Sequence, residues 1–225
     1  MRAPHSIALA LALNCGAAPA MELAGVGGAR FEVPVTSLQA ARFARTLRQQ
    51  YDFSCGSAAL ATLLSYHYAY PVTERYAFEQ MYASGDQAQI RKEGFSLLDI
   101  KRFLEARGFR ADGFQLPLQK LAEAGLPAIV LVSENGYQHF VVVKGLNPER
   151  VLIGDPAGGT RAVARASFDA MWAGKLLFVI YDRPGPVRFN DPADWRVAPR
   201  APLAGAIPRG GLDNIVMPKH GPGGF

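Results

Sequence analysis

The pattern of apolar residues changes once along this chain, from helical spacing in the first half to short apolar runs in the second. Leu60, Leu63, Leu64 and His67 lie at the spacing of one helix face, which predicts an amphipathic helix. After residue 127 the apolar residues form short runs rich in Val, Ile and Phe, and such runs are typical of β-strands. We therefore expect an α+β fold in which N-terminal helices pack on an antiparallel β-sheet.

Capping residues and turn residues mark where the individual elements begin and end. Three helices are predicted to start at Cys55, after Thr73 and after Ser96, and Asp99 completes a capping box with Ser96. Two shorter helices are predicted, one between Pro117 and Gly125 and one over 167–172. The predicted strands cover 128–132, 140–143, 151–153 and 176–181, and Asn135-Gly136 predicts a hairpin between the first two.

The first twenty residues have the layout of a cleavable export signal. Arg2 precedes an apolar stretch over 7–13 and a run of small residues that ends at Ala20. We predict a cut after Ala20 and a protein of the periplasm or the medium. No apolar run reaches the roughly 20 residues of a membrane-spanning helix, so stable membrane insertion is not expected.

The remaining 205 of the 225 residues are enough for one domain. We expect an extended lead-in over 21–45, a packed domain over 46–182 and a tail over 183–225. The tail holds eight of the sixteen prolines and is predicted to be an irregular wrap or disordered. The net charge of +5 is spread over scattered Lys and Arg residues, which argues against nucleic-acid binding.

Cys55 is the only cysteine that remains once the predicted signal, which contains Cys15, is removed. The N-terminal end of a helix carries about half a positive charge and favours an anion. The Cys55 thiol is therefore predicted to ionise easily and to act as a nucleophile. The other readings of a single exported cysteine are an intermolecular disulfide or an inert buried thiol.

Among the four histidines, only His139 is placed to serve Cys55. His5 lies in the predicted signal and His220 in the tail. His67 is twelve residues along the same helix, about 18 Å away at 1.5 Å per residue. His139 begins a predicted strand and is the expected base.

Asp155 and two glutamines complete the candidate site. Asp155 ends the strand that follows His139, and antiparallel pairing brings such ends close together. Its carboxylate would orient the imidazole, as in a catalytic triad. Gln49 and Gln50 precede the helix, and either amide could join the Cys55 N–H in an oxyanion hole.

These residues together resemble the bacteriocin-processing peptidases, papain-like cysteine peptidases that cut leader peptides after a Gly-Gly pair. The resemblance is carried by Gln49, Cys55-Gly56, His139 and Asp155-Pro156, and it covers about residues 46–182. It implies a papain-like fold, Cys55 as nucleophile, His139 as base and Asp155 as orienting acid. It also implies that Gln49, and not Gln50, is the oxyanion donor.

The chain departs from the usual members of that family in two ways. Those members are fused to a membrane transporter, and they carry an acidic residue where this chain has Ser54. The chain is more similar to the stand-alone exported branch, which includes the peptidase-like component of functional-amyloid secretion systems. This likeness implies a peptide or protein substrate, such as an amyloid or secretion-system component.

Several alternatives stay open. One is a binding or chaperone module that retains the groove without turnover, and another is a transglutaminase-like protein or amidase. A zinc site of Cys55, His139 and Asp155 fits by ligand type, but no close-spaced ligand pair supports it, and no cofactor is expected. Self-processing at Gly27-Gly28 or Gly223-Gly224 is a further hypothesis.

Overall fold

The computed structural model describes residues 20–24, 30–34, 36–182 and 185–198. The predicted export signal up to residue 19 and both glycine pairs lie outside these residues. The chain divides into two compact units, Met1–Ala41 and Arg42–Phe225. In the first unit, β1 (Ala20–Ala24) and β2 (Arg30–Pro34) form an antiparallel pair. The short helix α1 (Leu38–Phe43) follows within the predicted extended lead-in and runs past the unit boundary at Ala41.

The second unit is built on a six-stranded antiparallel sheet with the strand order β3-β8-β4-β5-β6-β7. The strands are β3 (Arg110–Phe114), β4 (Ala128–Glu134), β5 (Tyr137–Leu146), β6 (Arg150–Asp155), β7 (Gly159–Ala164) and β8 (Leu177–Asp182). The four predicted strands are β4, β5, β6 and β8, each found within a few residues of its predicted bounds. The sheet and the helices before it confirm the predicted α+β fold.

Helices cover both faces of this sheet. They are α2 (Cys55–Thr62), which continues as a π-helical turn over Leu63–His67, α3 (Glu74–Ser84), α4 (Gln87–Glu93), α5 (Leu97–Glu105), α6 (Gln119–Ala124) and α7 (Arg165–Met171). Alternate strand residues face opposite sides. Phe140 and Val142 therefore belong to the core beneath α2, α3 and α5, whereas Val141 and Val143 belong to the core beneath α6 and α7.

The predicted caps and turn are present. The Thr73 hydroxyl accepts the N–H of Tyr76 at the start of α3, and Ser96 and Asp99 form the capping box of α5. Asn135 and Gly136 both have positive φ, 52° and 81°, as the tight hairpin turn between β4 and β5 requires.

Residues 185–198 lie against β5. The Asn190 N–H donates to the Lys144 carbonyl oxygen (3.0 Å), and the Asn190 side-chain oxygen accepts the Leu146 N–H (2.8 Å). The short helix α8 (Pro192–Trp195) follows and places Asp194 on the buried Lys144 ammonium at 2.6 Å. None of the described helices is both long and apolar enough to cross a membrane.

Candidate active site

Cys55 is the first residue of α2 and lies in a closely packed helix start. The Ser54 hydroxyl before it donates to the Tyr51 carbonyl oxygen (3.0 Å), which closes the loop that leads into the helix. Gly56 follows, and a Cβ there would lie 2.9 Å from the Phe95 Cβ. Cys55 is therefore largely buried, but it still lines an open cleft.

Burial raises the pKa of the Cys55 thiol above its ordinary value, although the backbone N–H groups of Phe140, Gly56 and Cys55 lower it. The negative charge of Asp155 raises it further. This direction is opposite to the one expected from the helix start, because loss of solvation outweighs the helix-end charge. A thiol with a raised pKa needs a base before it can act as a nucleophile at neutral pH.

The predicted base and its orienting acid lie side by side. His139 Nε2 is 3.4 Å from Asp155 Oδ2, and both side chains are buried. His139 is near the start of β5 and Asp155 ends β6, and these two strands pair antiparallel. The end-to-start proximity expected from antiparallel pairing is thus what brings them together.

Asp155 is held ionised by the donors around it. Its Oδ1 accepts the N–H groups of Ala157 (2.8 Å) and Gly158 (3.2 Å). Burial alone would raise the pKa of Asp155, but the hydrogen bonds from His139 and from these N–H groups lower it to about 2. Asp155 is therefore a carboxylate at neutral pH and accepts the imidazole N–H.

The other ring nitrogen of His139 is not engaged by Asp155. His139 Nδ1 is buried and has no hydrogen-bond partner among the described residues. His139 and Cys55 line the same cleft of about 720 Å³, together with Phe95, Phe140 and Leu131. With Nε2 turned to Asp155, Nδ1 is the atom able to take the thiol proton.

Gln49 lies close to the acid rather than in the cleft lining. Its backbone N–H donates to the Pro156 carbonyl oxygen at 3.1 Å, which fixes the segment before α2 next to the Asp155 turn. Its side chain is half-buried, and Gln50 is exposed. The oxyanion role implied for Gln49 stays a prediction.

His67 is away from this cleft, as its spacing from Cys55 predicts. It is fully buried, and its Nδ1 lies 2.6 Å from the Arg188 carbonyl oxygen. Burial and the nearby Lys144 charge lower the pKa of His67 to about 4. His67 therefore belongs to the packing of the segment after β8.

Sequence reasoning missed three side chains beside the triad. Tyr137 stacks on the His139 imidazole. Arg161 donates to both Glu134 oxygens (2.8 Å each) and lies 3.4 Å from Asp155 Oδ2. The position of Tyr137, two residues before His139, could have predicted its contact with the imidazole, because residues at this spacing share a strand face.

Three ligand atoms of Glu134, His139 and Asp155 lie within 4.8 Å of one another, which is a possible metal geometry. The Arg161 guanidinium, however, already contacts both carboxylates. A cation at this place would meet a fixed positive charge, so the donor set fits an arginine better than a metal ion.

Comparisons with known proteins identify the family of the chain. A model of the Peptidase C39 family matches residues 44–183. The chain is 41% identical over 164 residues to the probable functional amyloid protease FapD of Pseudomonas aeruginosa, an alignment that covers 72% of this chain and 73% of that protein.

Two further relatives match the same region. The chain is 31% identical over 137 residues to the lactococcin-G-processing and transport ATP-binding protein LagD of Lactococcus lactis subsp. lactis, covering 60% of this chain and 18% of that protein. The peptidase domain of Streptococcus ComA, a bi-functional ABC transporter involved in a quorum sensing pathway, superposes with a TM-score of 0.51 at 23% identity, covering 61% of this chain and 98% of that domain. At this identity the structural likeness supports the fold alone.

Proposed function

The chain belongs to the Peptidase C39 family of cysteine peptidases, and we propose that it is an exported endopeptidase that uses Cys55, His139 and Asp155 as its triad. We also propose that it cuts peptide or leader segments after Gly-Gly. The observation that carries the proposal is the shared cleft: Cys55 and His139 line it, and Asp155 is hydrogen-bonded to His139 from behind.

The first half of the proposed reaction forms a covalent intermediate. His139 Nδ1 takes the thiol proton as Cys55 Sγ attacks the peptide carbonyl carbon, whose π electrons move to the oxygen. Asp155 stabilises the imidazolium and keeps Nε2 directed at itself. The raised pKa of Cys55 makes this coupled transfer necessary, because the resting thiol is not ionised.

The second half releases the two products. The imidazolium gives its proton to the leaving amine as the C–N bond breaks, which leaves a thioester on Cys55. Water then attacks the thioester carbonyl and gives its proton to His139, and the C–S bond breaks to free the carboxylate product and the thiol.

The developing oxyanion needs donors that are already in place. The backbone N–H of Cys55 is at the helix start, and we assign the second donor to the Gln49 side chain. The backbone bond from Gln49 to Pro156 supports this role because it fixes Gln49 beside the triad. Loss of one such donor costs about 3–4 kcal/mol of transition-state stabilisation.

The wall of the cleft next to Cys55 is partly aromatic, since Phe95 and Phe140 both line it. The proposed preference for a Gly-Gly pair rests on the resemblance of the chain to the bacteriocin-processing peptidases.

Peptide cleavage by active-site variants tests the proposal. The probe is a synthetic peptide with an internal Gly-Gly pair, compared with the same peptide carrying Ala-Ala. We expect no cleavage by Cys55→Ala, a loss of about 10²–10⁴-fold in His139→Ala, and little cleavage of the Ala-Ala peptide. Unchanged cleavage by Cys55→Ala, with the fold verified by circular dichroism, would refute the triad. If the unaltered protein binds the peptide but does not cut it, the result would instead support the alternative that the protein is a binding or chaperone module.

Export and the amyloid-related substrate are supported by the relatives and by the N-terminal residues. The FapD relative is named as an amyloid protease, and Arg2 to Ala20 have the layout of a signal. We propose removal of residues 1–20, with 46–182 as the core of the peptidase and an amyloid or secretion-system protein as substrate. N-terminal sequencing of the protein recovered from a bacterial periplasm should begin at Met21. Retention of Met1 in the cytosol would contradict the proposal.

A further inference from the structure

Tyr137 contacts the proposed base and the loop that precedes the proposed nucleophile. Its ring lies against the His139 imidazole, with ring centres 5.6 Å apart and planes inclined by 24°. Its hydroxyl donates to the Asp52 carbonyl oxygen at 3.0 Å. Asp52 is three residues before Cys55, so one side chain links the base to the loop that leads into the nucleophile.

The link joins two distant parts of the chain. Tyr137 and Asp52 are 85 residues apart, one at the start of β5 in the sheet and the other just before α2 in the helical layer. Tyr137 directly follows the Asn135-Gly136 turn, whose positive φ angles fix the hairpin end. The side chain is therefore placed by a rigid turn, although 54% of the residue is exposed.

The hydroxyl stays a donor at working pH. Burial raises the pKa of Tyr137, and the negative charges of Asp52 and Asp155 raise it further. The phenol therefore remains neutral, and its O–H continues to donate to the Asp52 carbonyl oxygen.

The His139 ring has few other constraints. Its Nδ1 has no partner among the described residues, and its hydrogen bond from Nε2 to Asp155 is long, at 3.4 Å, against the roughly 2.7–3.2 Å usual for an N–H···O bond. One long bond leaves the ring free to tilt, whereas a stacked aromatic face restricts it. The same face attracts the imidazolium that forms when the thiol proton is transferred.

We propose that Tyr137 is a positioning residue that holds the His139 imidazole toward Cys55 by stacking on the ring while its hydroxyl anchors it to the loop before the nucleophile. The role rests on the proposed function, since it has meaning only where Cys55 and His139 exchange a proton. Tyr137 acts through His139 and takes no part in bond making.

Two variants separate the hydroxyl from the ring. Tyr137→Phe keeps the stack and removes the anchor, and Tyr137→Leu removes both. The matched control is Tyr181→Leu, which removes another half-exposed tyrosine, one whose ring contacts Phe114 far from the site. The readouts are kcat and KM on the Gly-Gly peptide, the rate of Cys55 alkylation by iodoacetamide against pH, and the melting temperature.

We expect the effect in kcat and not in KM. Tyr137→Phe should lower kcat about threefold to tenfold, and Tyr137→Leu about tenfold to a hundredfold. The rate of Cys55 alkylation should fall in Tyr137→Leu, and it should fall over the same pH range, around neutrality, in which it falls in His139→Ala. Tyr181→Leu should change neither rate.

The outcomes that overturn the role differ from those that overturn the enzyme. If Tyr137→Leu keeps normal kcat and alkylation while His139→Ala loses both, the positioning role is refuted and the triad stands. An increase in KM alone refutes it too, because Tyr137 would then contact substrate. If the unaltered protein cuts no peptide but alkylation slows alike in Tyr137→Leu and His139→Ala, the peptidase proposal fails and the positioning role stands.

Discussion

The Asp155 carboxylate has a different affinity for protons in the folded and unfolded chain. Its folded pKa is about 2, against about 3.9 in an unfolded chain. A carboxyl group with a depressed pKa stabilises the fold above its unfolded pKa and loses that contribution as the pH falls to the folded value. We expect Asp155→Asn to lower the free energy of unfolding at pH 7 by about 2 kcal/mol. Urea titrations should show this difference from the unaltered protein shrinking between pH 4 and pH 2, and a difference that does not change with pH would contradict the assignment.

Arg161 lies between two carboxylates that would otherwise face each other. It donates to Glu134 at 2.8 Å and lies 3.4 Å from the Asp155 oxygen that also contacts His139. Without the guanidinium, Glu134 would repel Asp155 and displace it from the imidazole. We expect Arg161→Met to lower kcat/KM about tenfold, an estimate of the same order as loss of a charged hydrogen bond. Arg110→Met, which removes an exposed ion pair, is the control.

A double variant separates this repulsion from a simple loss of packing. Replacing Glu134 by Leu in the Arg161→Met background removes the second carboxylate as well. Part of the lost kcat/KM should return if repulsion is the cause. A further loss in the double variant would show that Arg161 acts through packing alone.

At the residue scale the sequence predicted that His139 and Asp155 lie close together, but not the raised pKa of Cys55. Strand order and antiparallel pairing were enough to bring Asp155 to His139. The raised pKa of Cys55 depends on how deeply the helix start is buried, which no local pattern encodes. The contact of Arg161 with Asp155 depends on the register in which β6 pairs with β7. The sequence of a short strand does not predict that register.

Elements with strong local signals were predictable, whereas weaker ones such as α4, β3 and β7 were not. Helix α4 buries only Ile90 among its seven residues, so it shows no apolar periodicity despite the Asp86 cap. The edge strand β3 buries only Ala111 and contains Asp112 and Gly113, which are uncommon in strands. Strand β7 begins at Gly159 with φ 78°, where the pattern resembles a continued turn. Their formation depends on neighbours distant in sequence.

Helix α5 depends on a cap that can be tested by itself. Asp99 Oδ2 accepts both the backbone N–H of Ser96 (2.9 Å) and its hydroxyl (2.7 Å), and the Ser96 hydroxyl accepts the Asp99 N–H (3.2 Å). Removing the hydroxyl leaves a helix N–H without its partner, so Ser96→Ala should lower the free energy of unfolding by about 1 kcal/mol. Ser84→Ala is the matched control, since its hydroxyl donates at the end of α3 and caps no N–H. Chemical denaturation measures both, and equal effects of the two changes would contradict a capping role.

At the scale of the whole second unit, Lys144 connects segments that are far apart in the chain. Its ammonium is fully buried and donates to the Arg45 carbonyl oxygen and to Asp194, each at 2.6 Å. Burial lowers the pKa of Lys144, and the Asp194 charge opposes that shift. A buried charge is tolerated only while its partner stays in place. The segment before α2, the centre of the sheet and α8 are therefore coupled through one side chain.

This coupling makes the C-terminal limit of the folded domain testable. A chain that ends at Asp182, the limit predicted from the sequence, loses Asp194 and leaves the Lys144 charge buried without its carboxylate. We expect it to lose about 3–5 kcal/mol of unfolding free energy, whereas a chain that ends at Ala198 keeps the Lys144–Asp194 pair and is the matched control. Adding Lys144→Met to the shorter chain removes the unpaired charge and should restore part of the loss. Urea denaturation of the three chains measures these differences. Equal stability of the two truncated chains would show that the packed domain ends at Asp182 without help from α8. A loss that Lys144→Met does not restore would show that the unpaired charge is not its cause.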